Sequence, residues 1–151
     1  MAKKILVMGL PGSGKSTLSN KLKQKLSSAE HFEADRVRAE YDDWDFSEEG
    51  RLRQAIRMEN LSQECDAQWA ILDFICPKKE YRKLVDADII VWMDTITKGR
   101  YDDTNEMFKK PNNNIEHIDY HFTKLDSDDQ SDRIVDNLEL FDTYHWKKSN
   151  G

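Results

Sequence analysis

The stretch Gly9-Leu10-Pro11-Gly12-Ser13-Gly14-Lys15-Ser16-Thr17 constrains this chain more than any other. It satisfies G-x-x-x-x-G-K-[ST], and its flanks fit the same pattern. Lys4-Ile5-Leu6-Val7-Met8 before it is a short apolar run of strand type. Leu18, Leu22 and Leu26 after it stand at helical spacing. A glycine loop between strand and helix turns successive N–H groups inward as an anion nest, and the helix adds free amides and the positive end of its dipole. Glycine suits such a loop because a Cβ would block close approach to a ligand. The segment therefore predicts a site for ATP and Mg²⁺, with Gly9, Pro11, Gly12, Ser13, Gly14 and Thr17 around the phosphates. Lys15 is expected at the β- and γ-phosphates and the Ser16 hydroxyl on Mg²⁺.

A chain of 151 residues is long enough to bury a core and is read as one domain, 1–151. Its net charge of -6 speaks against a general nucleic-acid or membrane-surface binder, which shows a basic field. No apolar run approaches a membrane span. Cys65 and Cys76 form no metal pattern, and a reduced, cytoplasmic setting is expected.

Along the chain, strand and helix signals alternate. His31-Phe32-Glu33-Ala34 reads as a second strand leading into Asp35-Arg36-Val37-Arg38, and Asp42 to Asp45 as a polar link. Ser47 is placed as the N-cap of a helix running to about Gln68, with Leu52, Ile56 or Ala55, Leu61 and Cys65 near one face. Trp69 to Ile75 and Ile89 to Met93 are apolar enough for buried parallel strands, and Pro77 is expected to open a short helix through Leu84. Ile115 to Phe122 is the expected last strand. Ser127-Asp128-Asp129-Gln130 resembles a capping box before a helix marked by Ile134, Leu138 and Phe141. The alternation predicts an α/β fold, a three-layer P-loop NTPase of the nucleotide-kinase type, with a mostly parallel sheet flanked by helices.

The motif alone does not separate a kinase from another nucleotide hydrolase. Phosphoryl transfer needs charge neutralisation and positioning, so an acidic residue ending an apolar strand is sought as the second Mg²⁺ partner. Asp73 and Asp94 both qualify. Asp73 is favoured because the strand after the second helix commonly lies beside the P-loop strand. Asp35 follows a short strand and precedes Arg38 by three residues. By spacing alone it reads first as a helix cap beside an exposed arginine, and second as a carboxylate for an acceptor hydroxyl.

Four segments together resemble the adenylylsulfate kinases. Gly9 to Thr17 matches that family's P-loop, Glu33-Ala34-Asp35-Arg36-Val37-Arg38 its D-G-D-N-V-R, Phe46 to Gln54 its F-S-x-x-D-R-x-x-N, and Ile75-Cys76-Pro77 through Arg82 its I-S-P-x-x-x-x-R. The resemblance covers residues 5 to 82. It implies a kinase that phosphorylates the 3′-hydroxyl of adenylylsulfate, a small-molecule nucleotide acceptor, and a possible homodimer. It implies Asp35 at the acceptor hydroxyl as base or Mg²⁺ organiser, Arg38 and Arg51 on the phosphosulfate end, and Phe46 against the adenine. Gln54 and backbone at Ile75 would complete the acceptor site. The metal set is then Ser16, Asp35 and Asp73. Glu33, Ala34, Gly50, Gln54 and Cys76 depart from the family pattern.

Residues 97–114 are polar and weakly periodic, carry Lys98, Arg100, Lys109 and Lys110, and are expected to form a lid. Arg100 is the candidate catalytic group there, beside Lys15 and Asp35. His31, His117, His121 and His145 show no metal spacing and are read as structural or exposed. A related kinase acting on another nucleotide, a polynucleotide end or a small metabolite, and a non-catalytic nucleotide-binding domain, stand as the alternatives.

Overall fold

A computed structural model describes residues 2–99, 101–112 and 116–150, the side chains of 139–150 excepted. Five strands, β1 (Lys3–Met8), β2 (Ala29–Glu33), β3 (Trp69–Asp73), β4 (Ile89–Met93) and β5 (Tyr120–Phe122), alternate with six helices. These are α1 (Lys15–Lys25), α2 (Ala34–Tyr41), α3 (Glu48–Glu64), α4 (Lys79–Val85), α5 (Asp102–Met107) and α6 (Ser127–Asn150). The strand order is β2-β3-β1-β4-β5, and every pairing is parallel.

The pleat divides the core in two. Leu6, Met8, Ala70 and Leu72 point to one face, where Val37, Ala55, Met58, Tyr81 and Val85 pack from α2, α3 and α4. Ile5, Val7, Trp69 and Ile71 point to the other, against Leu18 and Leu22 of α1 and Ile134, Val135 and Leu138 of α6. Every residue of β3 is buried, as a strand covered on both faces requires. Since β3 lies between β1 and β2, the chain leaves β1 in one direction and returns to β4 on its other side. The loops at the carboxyl ends of the strands diverge there and open a crevice.

Several expected boundaries shift. Helix α3 ends at Glu64, short of Gln68, and its inner face is Arg51, Gln54, Ala55, Met58 and Ser62. Leu52 and Ile56 are exposed, at 41% and 43%. The apolar spacing misled because two polar residues on this helix face a cavity. Ser47 does cap it, its hydroxyl accepting the Gly50 N–H at 3.2 Å. Helix α4 begins at Lys79, two residues after Pro77. Strand β5 keeps only Tyr120–Phe122 of the expected run, of which Ile115 lies outside the described residues. The capping box does not form. Asp126, not Ser127, receives the Asp129 N–H at 3.4 Å, while Gln130 donates to Lys124 O at 2.6 Å.

Candidate active site

The P-loop closes on itself through Ser13 N–H to Leu10 O at 3.1 Å, and Thr95 after β4 donates its hydroxyl to Ser13 O at 2.8 Å. Two glycines are dictated by geometry. Gly9 has φ +150, and a Cβ there would meet Met93 O at 2.5 Å. Gly14 has φ +97 and is the N-cap of α1. The Lys15 ammonium, held by Leu10 O at 3.2 Å, has its pKa lowered by burial, against the opposing pull of Asp73, Asp35 and Glu33. The Ser16 hydroxyl donates to Asp73 Oδ2 at 2.8 Å. Asp73 reaches it because β3 pairs with β1 so that Asp73 faces Val7. Asp94 instead receives His121 at 2.8 Å, on the β5 side of β4.

A cavity of about 580 Å³ opens from this floor. Pro11, Gly12, Lys15, Ser16 and Asp73 line one end of the set, and Asp35, Arg38, Phe46, Arg51, Gln54 and Ile75 line the rest. Segments up to 64 positions apart in sequence thus meet as the motif pattern predicts. Gly9 and Ser13 are buried within the loop, and Thr17 is exposed on α1, outside the lining.

Arg38 and Arg51 are 4% and 5% exposed. Arg38 donates to Asp43 O and Asp45 O, both at 3.2 Å. Arg51 donates to Phe46 O and Thr104 Oγ1, both at 2.9 Å. Their hydrogen-bond partners among the described residues are neutral oxygens, and carboxylates act on them only at longer range, Asp43 and Asp35 on Arg38 and Asp103 on Arg51. Burial lowers both pKa values, and for Arg38 the neighbouring Arg51 lowers it further. Both guanidinium groups lie over the Phe46 ring, at 4.4 and 5.4 Å. Gln54 spends its amide inside the protein, donating to Ala34 O at 3.1 Å and accepting from Arg57 at 2.8 Å. Its visible part is to fix the turn that carries Asp35.

The segment after β4 is more ordered than its composition suggested. Gly99 and Asn105 exchange two hydrogen bonds, α5 follows, and Lys109 N–H reaches Pro77 O at 2.7 Å. Tyr101, Asp103 and Thr104 border the cavity. Arg100 lies outside the described residues. Lys98 is exposed beside Asp102, and Phe108 packs against the core.

Sequence reasoning overlooked Trp44, Tyr101, Asp103 and Thr104, which line the cavity without belonging to any motif. It also set His31 aside. His31 is buried, its Nε2 lies 2.9 Å from Asp73 Oδ2, and its Nδ1 lies 3.0 Å from Asn20 Oδ1. The signal was the β2–β3 register, which sets Glu33 beside Asp73 and becomes readable only once the two strands are known neighbours.

The residues fit a nucleotide and its cation. Ser13 Oγ is buried and has no hydrogen-bond partner among the described residues. Lys15 is one ammonium among three carboxylates, an excess of negative charge that a divalent cation would neutralise.

Solved structures define the fold. The chain is similar to a cysteine-to-alanine variant of the Mycobacterium tuberculosis APS kinase CysC, with TM-score 0.72, 24% identity, and coverage of 91% of this chain and 97% of that one. It is similar to the same kinase in complex with AMPPNP and APS, with TM-score 0.71 and 20% identity over 91% of this chain and 98% of that one. A shikimate kinase from Acinetobacter baumannii, in complex with shikimate, follows at TM-score 0.65 and 13% identity, covering 93% and 94%. The fold is that of the P-loop kinases. A comparison with curated protein sequences found no match. The model of the adenylylsulphate kinase family matches residues 1–130, and the chain belongs to that family.

Proposed function

We propose that this protein transfers the γ-phosphoryl group of ATP to the 3′-hydroxyl of adenylylsulfate. The observation that carries this is the pair Arg38 and Arg51, two buried guanidinium groups whose hydrogen bonds go to neutral oxygens, in one cavity with the P-loop. A buried charge is costly unless something compensates it, and an anionic acceptor does so. Phe46, exposed at 42% and already flanked by both arginines, offers its ring to the acceptor's base.

The remaining roles follow from position. The P-loop amides and Ser13 Oγ hold phosphate oxygens, and Lys15 draws charge from the transferring group. Ser16 and Asp73, with Asp35 near them, would hold Mg²⁺, which supplies charge neutralisation at the phosphates when bound. Asp35, in the first turn of α2, takes the proton of the acceptor hydroxyl. The 97–114 segment acts as the lid, with Arg100 directed to the developing charge. We take 1–151 as one domain working in the cytoplasm as a homodimer. The buried, unpaired Cys65 and Cys76 suit a reduced compartment.

Coupled ADP release tests the acceptor. Release on adding adenylylsulfate, and none with other nucleotides, DNA ends, shikimate or sugars, is the expected pattern. Release with one of those acceptors alone would reassign the site.

A further inference from the structure

His31 has no part in the proposed transfer, yet it is 4% exposed and meets the one carboxylate that also receives Ser16. The donor atoms of His31, Glu33 and Asp73 all lie within 4.8 Å of one another. His31 Nε2 and Asp73 Oδ2 are 2.9 Å apart. Two neighbouring ligands of an octahedral cation, each at about 2.1 Å, are separated by about 3 Å. Ser16 Oγ, at 2.8 Å from the same Oδ2, stands at the next such edge.

The other ring nitrogen supplies an independent argument. Nδ1 faces Asn20 Oδ1 at 3.0 Å, a carbonyl oxygen that accepts. An Nδ1–H donated there leaves the Nε2 lone pair directed at a carboxylate oxygen. In that arrangement Nε2 and the carboxylate oxygen, 2.9 Å apart, are held by a shared cation, either a proton or a metal ion. A histidine that ligates a metal usually donates its second N–H to a fixed acceptor, and Asn20 occupies that place.

We propose that His31, Glu33 and Asp73 form a divalent-cation site that fills without nucleotide. Its mixed imidazole and carboxylate ligands select a first-row transition ion over Mg²⁺, which prefers oxygen alone. The proposal rests on the floor of the cavity and is independent of the acceptor's identity.

Mn²⁺ titrated into the nucleotide-free full chain, followed by electron paramagnetic resonance, tests it. One Mn²⁺ per chain, with the hyperfine modulation of a directly bound imidazole nitrogen, is expected. His31→Gln should abolish that modulation and weaken Mn²⁺ at least 10-fold, and Asn20→Leu should weaken it about 10-fold with the modulation kept. The wild-type spectrum decides the matter even if a variant fails to fold. Bound Mn²⁺ without nitrogen coupling, or no bound Mn²⁺, overturns the site, and an imidazolium bonded to both Asn20 and Asp73 would give that result. ADP release in Mg²⁺ alone, measured in parallel, tests the kinase reading separately. Turnover without nitrogen coupling removes this cation site and leaves the kinase standing.

Discussion

Lys15 sits desolvated between the P-loop carbonyl of Leu10 and the carboxylates of the cavity floor. A positive charge in that position stabilises the charge that builds on a transferring phosphoryl group far better than one in water. Lys15→Ala should lower kcat about 100-fold or more while the melting temperature stays within a few degrees. Arg51 has a different signature. Its charged hydrogen bonds to an acceptor anion are worth about 1.5–3 kcal/mol, so Arg51→Ala should raise the acceptor KM about 10- to 100-fold and leave the KM for ATP near the wild-type value. A loss shared equally by both substrates would count against its assigned place. These residues were legible because each belongs to a spaced motif. Trp44 and Tyr101 were not, since a cavity wall gathers residues by three-dimensional closeness and leaves no periodic trace. Arg51 and Gln54 also hid the inner face of α3, because apolar spacing counts only the residues that avoid water on their own.

Among elements, α3 and α4 hold the acceptor side of the cavity. The Ser47 cap of α3 should be worth about 1 kcal/mol, read as a lowered urea midpoint in Ser47→Ala. Arg82 on α4 is a stronger tie. It meets Glu116 through two hydrogen bonds at 2.7 and 3.0 Å and donates to Cys76 O and Lys109 O. That joins the turn after β3 to both ends of the 109–116 segment. Arg82 holds the Glu116 carboxyl below its ordinary value of 4.5. A carboxyl depressed in the folded state contributes stability above its unfolded pKa and loses it as pH falls through the folded one. Urea midpoints should therefore drop as pH falls below the ordinary value of 4.5, and Glu116→Gln should flatten that part of the profile. An unchanged profile in the variant would assign the acid sensitivity elsewhere. Strands β1, β3 and β4 were legible with nearly their observed bounds, because buried parallel strands read as apolar runs, whereas β2 and β5 carry Glu30, His31, Glu33 and His121 and were placed with shifted ends. Helix α5 was not legible, since five of its six residues are polar and Met107 alone makes no apolar face.

At the scale of the molecule, the order β2-β3-β1-β4-β5 turns a phosphate loop into an active-site crevice. It brings the carboxyl end of β3 beside the P-loop strand, so Asp73 meets Ser16, and it sets β2 next to β3, so Glu33 and Asp35 arrive at the same floor. The class of fold was readable from alternation and the glycine loop. The β2–β3 contact was not, because strand order is decided by long-range packing on two faces at once. The segment that borders the cavity through Tyr101, Asp103 and Thr104 should close further when both substrates bind. Trypsin cleavage after Lys98, Lys109 and Lys110 should slow in the presence of AMPPNP with adenylylsulfate, and less with either alone.

The proposed reaction moves one phosphoryl group to one hydroxyl of one acceptor. Incubation with γ-labelled ATP, Mg²⁺ and adenylylsulfate, followed by identification of the labelled product, tests this. Label is expected on the 3′-oxygen with the sulfate retained, and none with Lys15→Ala. Label released only as inorganic phosphate, or carried by another position or another acceptor, would contradict it.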